Sequence, residues 1–511
     1  MNALPSPTIP APLSWALGAA VLGYGLAQGL IVLYSSHRWL ILWRLRRGAK
    51  AARRPPVDVA RPLPPIDPDP PLPSVTVQLP IFNERSVVER LIDAVAASDY
   101  PADRLEIQVL DDSTDETRAL AAAAVRRHLA RGVNIVHRHR EQRDGYKAGA
   151  LASGLAHARG ELIAVFDADF VPRPDFLRRT VRHFADPAVG MVQARWGHLN
   201  RDESLLTRAQ AVLLDAHFLL EHEARMRGGL FFNFNGTAGV WRRACIESAG
   251  GWQHDTLTED LDLSYRAQLA GWRFVFDREV VAPAELPADI EALKSQQRRW
   301  AKGSIQTARK LLPDLLAAPL PLRVKIEGFF HLTGNVAYPL LLVLGLLLFP
   351  LLLGTATAHP ELVWTLQAVV VLLGIVPVTL FLAAGQRAAG VRGPGLVRDV
   401  LAALVLGVGL SVNNARAVLE GLGSRVGGWE RTPKAGTSRI RGLAPAYPAA
   451  SGPSGRSEAM LATWFGLLGA FAAFAGHYRA VPFLALLALG FGSVGLGSIR
   501  ASAPARRAPR A

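Results

Sequence analysis

Two textures of hydrophobicity divide this chain. From Pro12 to Tyr34 runs an uninterrupted uncharged stretch (PLSWALGAAVLGYGLAQGLIVLY), long enough to cross a hydrocarbon core of ~30 Å. Comparable apolar runs return near Phe329–Leu353, Val363–Ala384, Leu401–Val412, Ala459–Ala475 and Val481–Val494. Between Val75 and about Pro287 the pattern is different. Short apolar segments (SVTVQL, LEIQVL, VNIVH, ELIAVF, VGMVQA) alternate with helical periodicity over Glu84–Ala97, Asp115–Ala130 and Tyr146–Ala158. That alternation predicts an α/β domain with a mostly parallel sheet and helices on both faces. In such a domain ligands bind at the carboxyl ends of the strands.

The flanks of the first run set the expected topology. Residues 1–36 contain no Lys or Arg, whereas Arg38–Arg54 holds seven basic residues and no acid. A cleaved signal peptide begins with basic residues, so an uncleaved anchor with its N-terminus outside fits better. Pro55–Pro73 carries nine prolines in nineteen residues and reads as a stiff, extended tether. The expected organisation is an anchor and basic flank over 1–54, a linker over 55–73 and a cytoplasmic catalytic domain over 74–290. Amphipathic helices at the membrane surface follow over 291–327, then an α-helical transmembrane region over 328–511. Leu401–Val412 is short and precedes a basic loop (Arg425, Arg431, Lys434, Arg439, Arg441). Five full spans, with this segment interfacial or re-entrant, keep the basic loops on one side; six is the alternative.

Composition narrows the chemistry. Among 511 residues there is a single cysteine, Cys245, which excludes an internal disulfide and a cysteine-built metal site. The thirteen histidines show no metal-ligand spacing on one element and read as ordinary. The formal charge of +15 is concentrated beside an apolar run, so anionic membrane lipid accounts for it better than nucleic acid.

Acidic and basic-aromatic clusters stand where the predicted strands end. Asp111 and Asp112 close LEIQVL and open DDSTDET; such carboxylates can hold a nucleotide, or serve as part of a capping box from Ser113 to Glu116. Asp167 and Asp169 form DADF directly after ELIAVF. Two neighbouring negative charges repel unless a cation separates them, and Mg²⁺ or Mn²⁺ on oxygen ligands would bridge them to a diphosphate. A polar turn is the other reading. Thr258-Glu259-Asp260 precedes a helical pattern; Asp260 is a candidate general base, or the segment is simply a cap. In QQRRW, Arg299 can clasp a diphosphate and Trp300 can stack on a sugar, with Gln296 beside them. The same residues could anchor an interfacial helix. Gly145–Gly149 opens a helix where Lys147 could meet phosphate, and Asn233–Gly239, with Asn235 and Gly236, is a small-residue loop that lets a polymer approach closely.

The ordered set Asp111/Asp112, Asp167-x-Asp169, Thr258-Glu259-Asp260 and Gln296-x-x-Arg299-Trp300 resembles the D, DxD, TED, QxxRW signature of processive family 2 glycosyltransferases. Narrower likeness lies in VQLPIFNE (77–84), IQVLDDSTDET (107–117), GVNIVHRHR (132–140), GYKAGAL (145–151), FDADFVP (166–172), VQARWGHLN (192–200), FNGTAG (234–239), AGGW (249–252) and QQRRW. These look like the plant cellulose synthase-like A proteins, which are glucomannan 4-β-mannosyltransferases, and much of the wording is shared with the cellulose synthase-like C glucan synthases. The resemblance covers roughly Val75 to Trp300. It implies a GT-A type nucleotide-sugar-binding domain plus a transmembrane region, in an integral multi-pass protein of the inner or plasma membrane. The implied reaction is an inverting, processive transfer of mannose or glucose from GDP-mannose, GDP-glucose or UDP-glucose to a β-1,4-linked polysaccharide acceptor. By position, Asp260 is the base and Asp112 is placed with it as catalytic. Asp167 and Asp169 hold the metal. Asp111, Lys147, Glu259, Gln296, Arg299, Trp300, Asn235 and Gly236 contact donor or acceptor. TED in place of VED, RWAKGS after the motif's tryptophan, and RTPK at 431–434 depart from the plant pattern and leave the sugar open. A non-processive enzyme glycosylating a lipid is the alternative, and a non-catalytic scaffold or channel the remote one.

Overall fold

The computed structural model describes residues 11–51, 72–354, 365, 368–369, 371–423 and 455–502. The proline-rich tether (save Leu72 and Pro73), the basic loop with RTPK, and the basic tail lie outside them.

Seven strands form one sheet in the order β3-β2-β1-β4-β6-β5-β7. They are β1 Val75–Ile81, β2 Leu105–Asp111, β3 Ile135–His139, β4 Leu162–Val165, β5 Val189–His198, β6 Gly239–Arg242 and β7 Arg273–Ala284. All pairings are parallel except those of β6, which runs antiparallel to β4 and β5. The five expected strands are present, and β6 and β7 add to them. β6 is only GVWR, four residues without the longer apolar run that marks β4 in ELIAVF. In β7 the pairing to β5 jumps from Asp277 opposite Ala194 to Val281 opposite Arg195, an irregularity that scrambles alternation along RFVFDREVVAPA.

β1 is buried along nearly its whole length, as befits a central parallel strand. Pro80 within it breaks no ladder. Ser74 and Gln78 turn their carbonyls toward β4, where they accept from Leu162 and Phe166; with a period of two, Pro80 faces the same side, beyond the last β4 partner at Gln78. One core packs Val88, Leu91, Ile92 and Ala124 against one face of the sheet, and a second packs Leu151, Ile246 and Leu263 against the other. The expected helices are observed over Val88–Ala96, Thr117–Leu129 and Tyr146–Ala156.

After β7 comes a 28-residue helix, Ile290–Ala317, carrying QQRRW. It binds the apolar helices that follow: Lys294 Nζ lies 3.0 Å from Glu458 Oε1 and 3.1 Å from Ser498 Oγ, and Arg298 Nη2 lies 2.7 Å from Glu420 Oε1. Among the described residues, five helices are long and apolar enough to cross a membrane: Gly18–Leu45, Leu322–Leu348, Val371–Ala388, Arg456–Phe474 and Val481–Ala501. The segment expected to be short or re-entrant is a pair, Pro394–Gly409 and Ser411–Gly421, meeting at 48°; counted as one span it makes six.

Candidate active site

The loops leaving the carboxyl edge of the sheet, with helix Ile290–Ala317, enclose a cleft holding about 1250 Å³ of empty space, part of it open to solvent. Asp112, Lys147, Asp167, Asp169, Asn235 and Gly236 line it, as do Glu259, Asp260, Gln296, Arg299 and Trp300. Segments separated by nearly two hundred positions thus meet in one place.

Asp111 is the exception. It is fully buried at the end of β2, with Oδ2 2.9 Å from His137 Nε2 and Oδ1 accepting from the Ser113 amide at 2.9 Å. Burial pushes its carboxyl up, but the hydrogen bonds from His137 and Ser113 outweigh that and hold it below the ordinary value. Successive side chains of a strand face opposite sides, so only one of the paired aspartates reaches the cleft. That one is Asp112. Its two oxygens are clasped by Arg140, Nε to Oδ1 at 2.8 Å and Nη2 to Oδ2 at 2.6 Å. The Arg143 guanidinium stands 3.4 Å above the Phe82 ring at the same end. The capping box expected as an alternative is absent: Ser113 Oγ accepts from the Asn83 amide instead.

Lys147 is buried among acids. Its Nζ lies 2.6 Å from Asp167 Oδ1, donates to the Gly236 carbonyl at 2.8 Å, and lies 4.0 Å from Glu259 Oε1. Burial lowers its pKa, yet Asp167 and Glu259 together raise it above the ordinary lysine value. The ammonium is therefore committed to carboxylates, where the sequence pointed to phosphate. On the other side of the charge balance, burial raises the Glu259 carboxyl, with Lys147 opposing. Asp260 is pushed up to about 7 by burial and by the Glu259 charge.

Gly236 is what lets these groups meet. Its φ is +80°, and a Cβ there would sit 3.0 Å from Asp260 Oδ2 and 3.4 Å from Lys147 Nζ. The only non-glycine residues with positive φ among those described are Asn83, Tyr146 and Ala238. Each is within two positions of a residue lining the cleft. Backbone strain of this kind persists where the surroundings over-determine it, commonly at functional sites.

The turn bearing Thr258–Asp260 is docked on helix Ile290–Ala317. The Leu257 amide donates to Gln306 Oε1 at 3.0 Å, and Thr258 Oγ1 lies 3.2 Å from Thr307 Oγ1. A Cβ on Gly303 would fall 2.5 Å from Thr258 Cγ2, so only glycine permits this approach. Thr258 makes no side-chain cap bond to its own helix, which disposes of the capping alternative for its hydroxyl.

Asp167 and Asp169 follow β4 and face the open cleft. Among the described residues no cluster of three or more His, Cys, Asp or Glu forms a metal cage. Two carboxylates suit Mg²⁺ or Mn²⁺ when water and phosphate oxygens complete the shell, and Asp167 already carries a cation in the form of the Lys147 ammonium.

Sequence reasoning missed Arg140, Arg143, Trp196, His198 and Glu285. The last four line the cleft; Arg140 acts on it through Asp112. Glu285 pairs with Arg90 at 2.5 Å and follows the strand that patterning did not reveal. The two arginines lie in HRHREQR after β3, where a basic run at a strand's carboxyl edge was the available signal.

Residues 70–303 match the family model described as "Glycosyltransferase like family 2". The chain is 46% identical over 249 residues to glucomannan 4-beta-mannosyltransferase 1 of Oryza sativa subsp. japonica, covering 47% of this chain and 47% of that protein. It is 45% identical over 247 residues to glucomannan 4-beta-mannosyltransferase 2 of Arabidopsis thaliana, covering 47% and 46%. The aligned part thus spans about half the length of these curated relatives. Among solved structures, a mannosyltransferase from Pyrobaculum calidifontis in complex with GDP-Man and Mn²⁺ aligns with a TM-score of 0.52 and 23% identity, over 77% of this chain and 99% of that one. At that identity the likeness shows a shared fold, of the GT-A type expected. The resemblance to family 2 and to the glucomannan mannosyltransferases is borne out.

Proposed function

We propose that this chain is a membrane-embedded, nucleotide-sugar-dependent hexosyltransferase that extends a β-1,4-linked polysaccharide, with mannose from GDP-mannose as the first choice of donor and GDP-glucose or UDP-glucose as the others. The catalytic domain faces the cytoplasm in this reading, since the basic flank follows the first apolar run. The single observation that carries it is the convergence of Asp167, Asp169, Glu259, Asp260, Arg299 and Trp300 on one cleft at the sheet's carboxyl edge. The 43–46% identity to glucomannan mannosyltransferases supports the sugar.

The chain's own groups divide the work. Trp300 offers a flat apolar face to a sugar ring, and Arg299 with Gln296 supplies donors for the diphosphate. Held side by side, the acceptor hydroxyl and the anomeric carbon react as if in one molecule. Asp260 takes the proton from that hydroxyl. The oxygen forms a bond to the anomeric carbon from the face opposite the diphosphate, whose bond breaks with its electron pair leaving on phosphate oxygen, so the configuration inverts. A carboxylate held near pH 7 is suited to this task. Mg²⁺ or Mn²⁺ held by Asp167 and Asp169 would supply Lewis-acid stabilisation of the departing charge.

Purified protein incubated with each of the three nucleotide sugars and Mg²⁺ or Mn²⁺ tests the reading. A ladder of β-1,4-linked product from GDP-mannose is expected; a single sugar on lipid, or no transfer from any donor, overturns it.

A further inference from the structure

Helix Leu205–Ala216 does not end at residue 216 but passes into a π-helical turn, His217–His222. In an α-helix, residue 222 would be rotated about 140° from residue 217; a turn closed i to i+5 brings it back to the same side. Both histidines accordingly meet one loop. His222 Nε2 is 3.1 Å from the Asn233 carbonyl, and His217 Nε2 is 3.0 Å from Asn235 Nδ2.

The other side of His217 explains which way the amide points. His217 Nδ1 lies 3.5 Å from Glu221 Oε2, and Glu221 is held by Arg38 of the first helix at 3.2 Å and by Arg225 at 3.1 Å. Beside a carboxylate so fixed, the tautomer that suits the geometry is the one with Nδ1–H toward Glu221, which leaves Nε2 as an acceptor. An acceptor there commits the Asn235 NH₂ group to His217. The Asn235 carbonyl oxygen is left without a hydrogen-bond partner among the described residues, in a side chain that lines the cleft one position before Gly236, the glycine packed against Asp260. A polar oxygen shielded from water and unpaired calls for a donor from outside the chain.

We propose that His217 is a positioning residue: it turns the Asn235 amide so that its oxygen accepts a hydrogen bond from a hydroxyl of the acceptor sugar, and Glu221 and Arg38 tie that subsite to the N-terminal helix. This rests on the glycosyltransferase reading above. Asn235 touches the acceptor; His217 acts only through it.

The test uses the full-length protein and two rates, donor hydrolysis to water and transfer to a short β-1,4-linked mannan oligosaccharide. His217→Leu removes the Nε2 acceptor. The acceptor KM is expected to rise about tenfold, the worth of one lost hydrogen bond, with donor hydrolysis within twofold of the parent. His217→Gln, whose side-chain oxygen can accept from Asn235, is expected to restore most of the acceptor affinity. His217→Asn serves as a milder second variant with the same expected direction. An unchanged acceptor KM in His217→Leu, or equal losses in hydrolysis and transfer, overturns the proposal. Absence of donor hydrolysis and transfer in the parent protein counts against the proposed function instead.

Discussion

Lys147 Nζ lies 2.6 Å from Asp167 Oδ1, so an ammonium from the helix after β3 stands in the acidic heart of the cleft and neutralises the carboxylate after β4. Removing it leaves Asp167, Glu259 and Asp260 facing one another. Lys147→Met is expected to lower kcat about tenfold or more, the scale of one lost charge-assisted hydrogen bond. It should also move the acidic limb of the pH profile to higher pH, because Lys147 now pulls the Asp260 carboxyl down. Steady-state rates from pH 5.5 to 9 check both effects.

The parent protein has its own pH signature. With the Asp260 carboxyl raised to about 7, the base is ionised only above that value, so kcat/KM should climb through pH 7 and level off beyond it. A profile flat from pH 6 to 8 would falsify the assignment of Asp260 as base.

Stability should run the opposite way. The folded Asp260 holds its proton between the ordinary carboxyl value of 3.8 and about 7 while the unfolded chain has released it. Its contribution is thus lost as pH rises through that window. Asp260→Asn removes this penalty. Transfer should vanish, and the Tm at pH 8 should equal or exceed that of the parent; a lower Tm contradicts the electrostatic account.

Asp111 and Asp112 should separate cleanly. Asp111→Ala strips a buried partner from His137 and the Ser113 amide and is expected to cost about 2–4 kcal/mol of stability. Asp112→Ala unpairs Arg140 at the cleft; donor KM should rise about tenfold or more, whereas Asp111→Ala should leave donor KM unchanged. Thermal melts beside donor titrations read the difference, and identical behaviour of the two variants refutes it.

Gly236→Ala places a methyl group 3.0 Å from Asp260 Oδ2 at a φ of +80°. The strain is about 1–2 kcal/mol, small enough for folding to survive. Activity should fall at least tenfold through displacement of Asp260, measured as kcat in protein with parent-like elution on size exclusion.

How much of this was legible beforehand depends on which interaction placed each residue. Motif residues at strand ends were readable because a parallel sheet delivers its carboxyl edge to one site; Asp167, Asp169 and Asp260 are found there. Asp111 could not be told from Asp112 without knowing the strand's phase. β7 escaped because its bulge and charges break the two-residue period, and Glu285 at its end escaped with it. Nothing in the sequence sets His217 apart, since the histidines show no metal-ligand spacing on one element and a π-helical turn leaves no 3.6-residue rhythm to follow. Gln306 and Thr307 looked like polar residues of a membrane-surface helix; their grip on Leu257 and Thr258 is a tertiary fact with no local signal.

Helix Ile290–Ala317 is shared property. Its middle walls the cleft and props up the turn bearing Asp260, the proposed base, while Lys294 and Arg298 fasten it to Glu458 and Glu420 among the apolar helices. A water-soluble fragment trimmed before Ile290 would therefore keep the sheet and lose Gln296, Arg299, Trp300 and the support beneath Thr258. Under the proposed function, purification must carry the apolar helices along, because the wall of the cleft and its anchorage are built from the same turn-by-turn stretch of backbone.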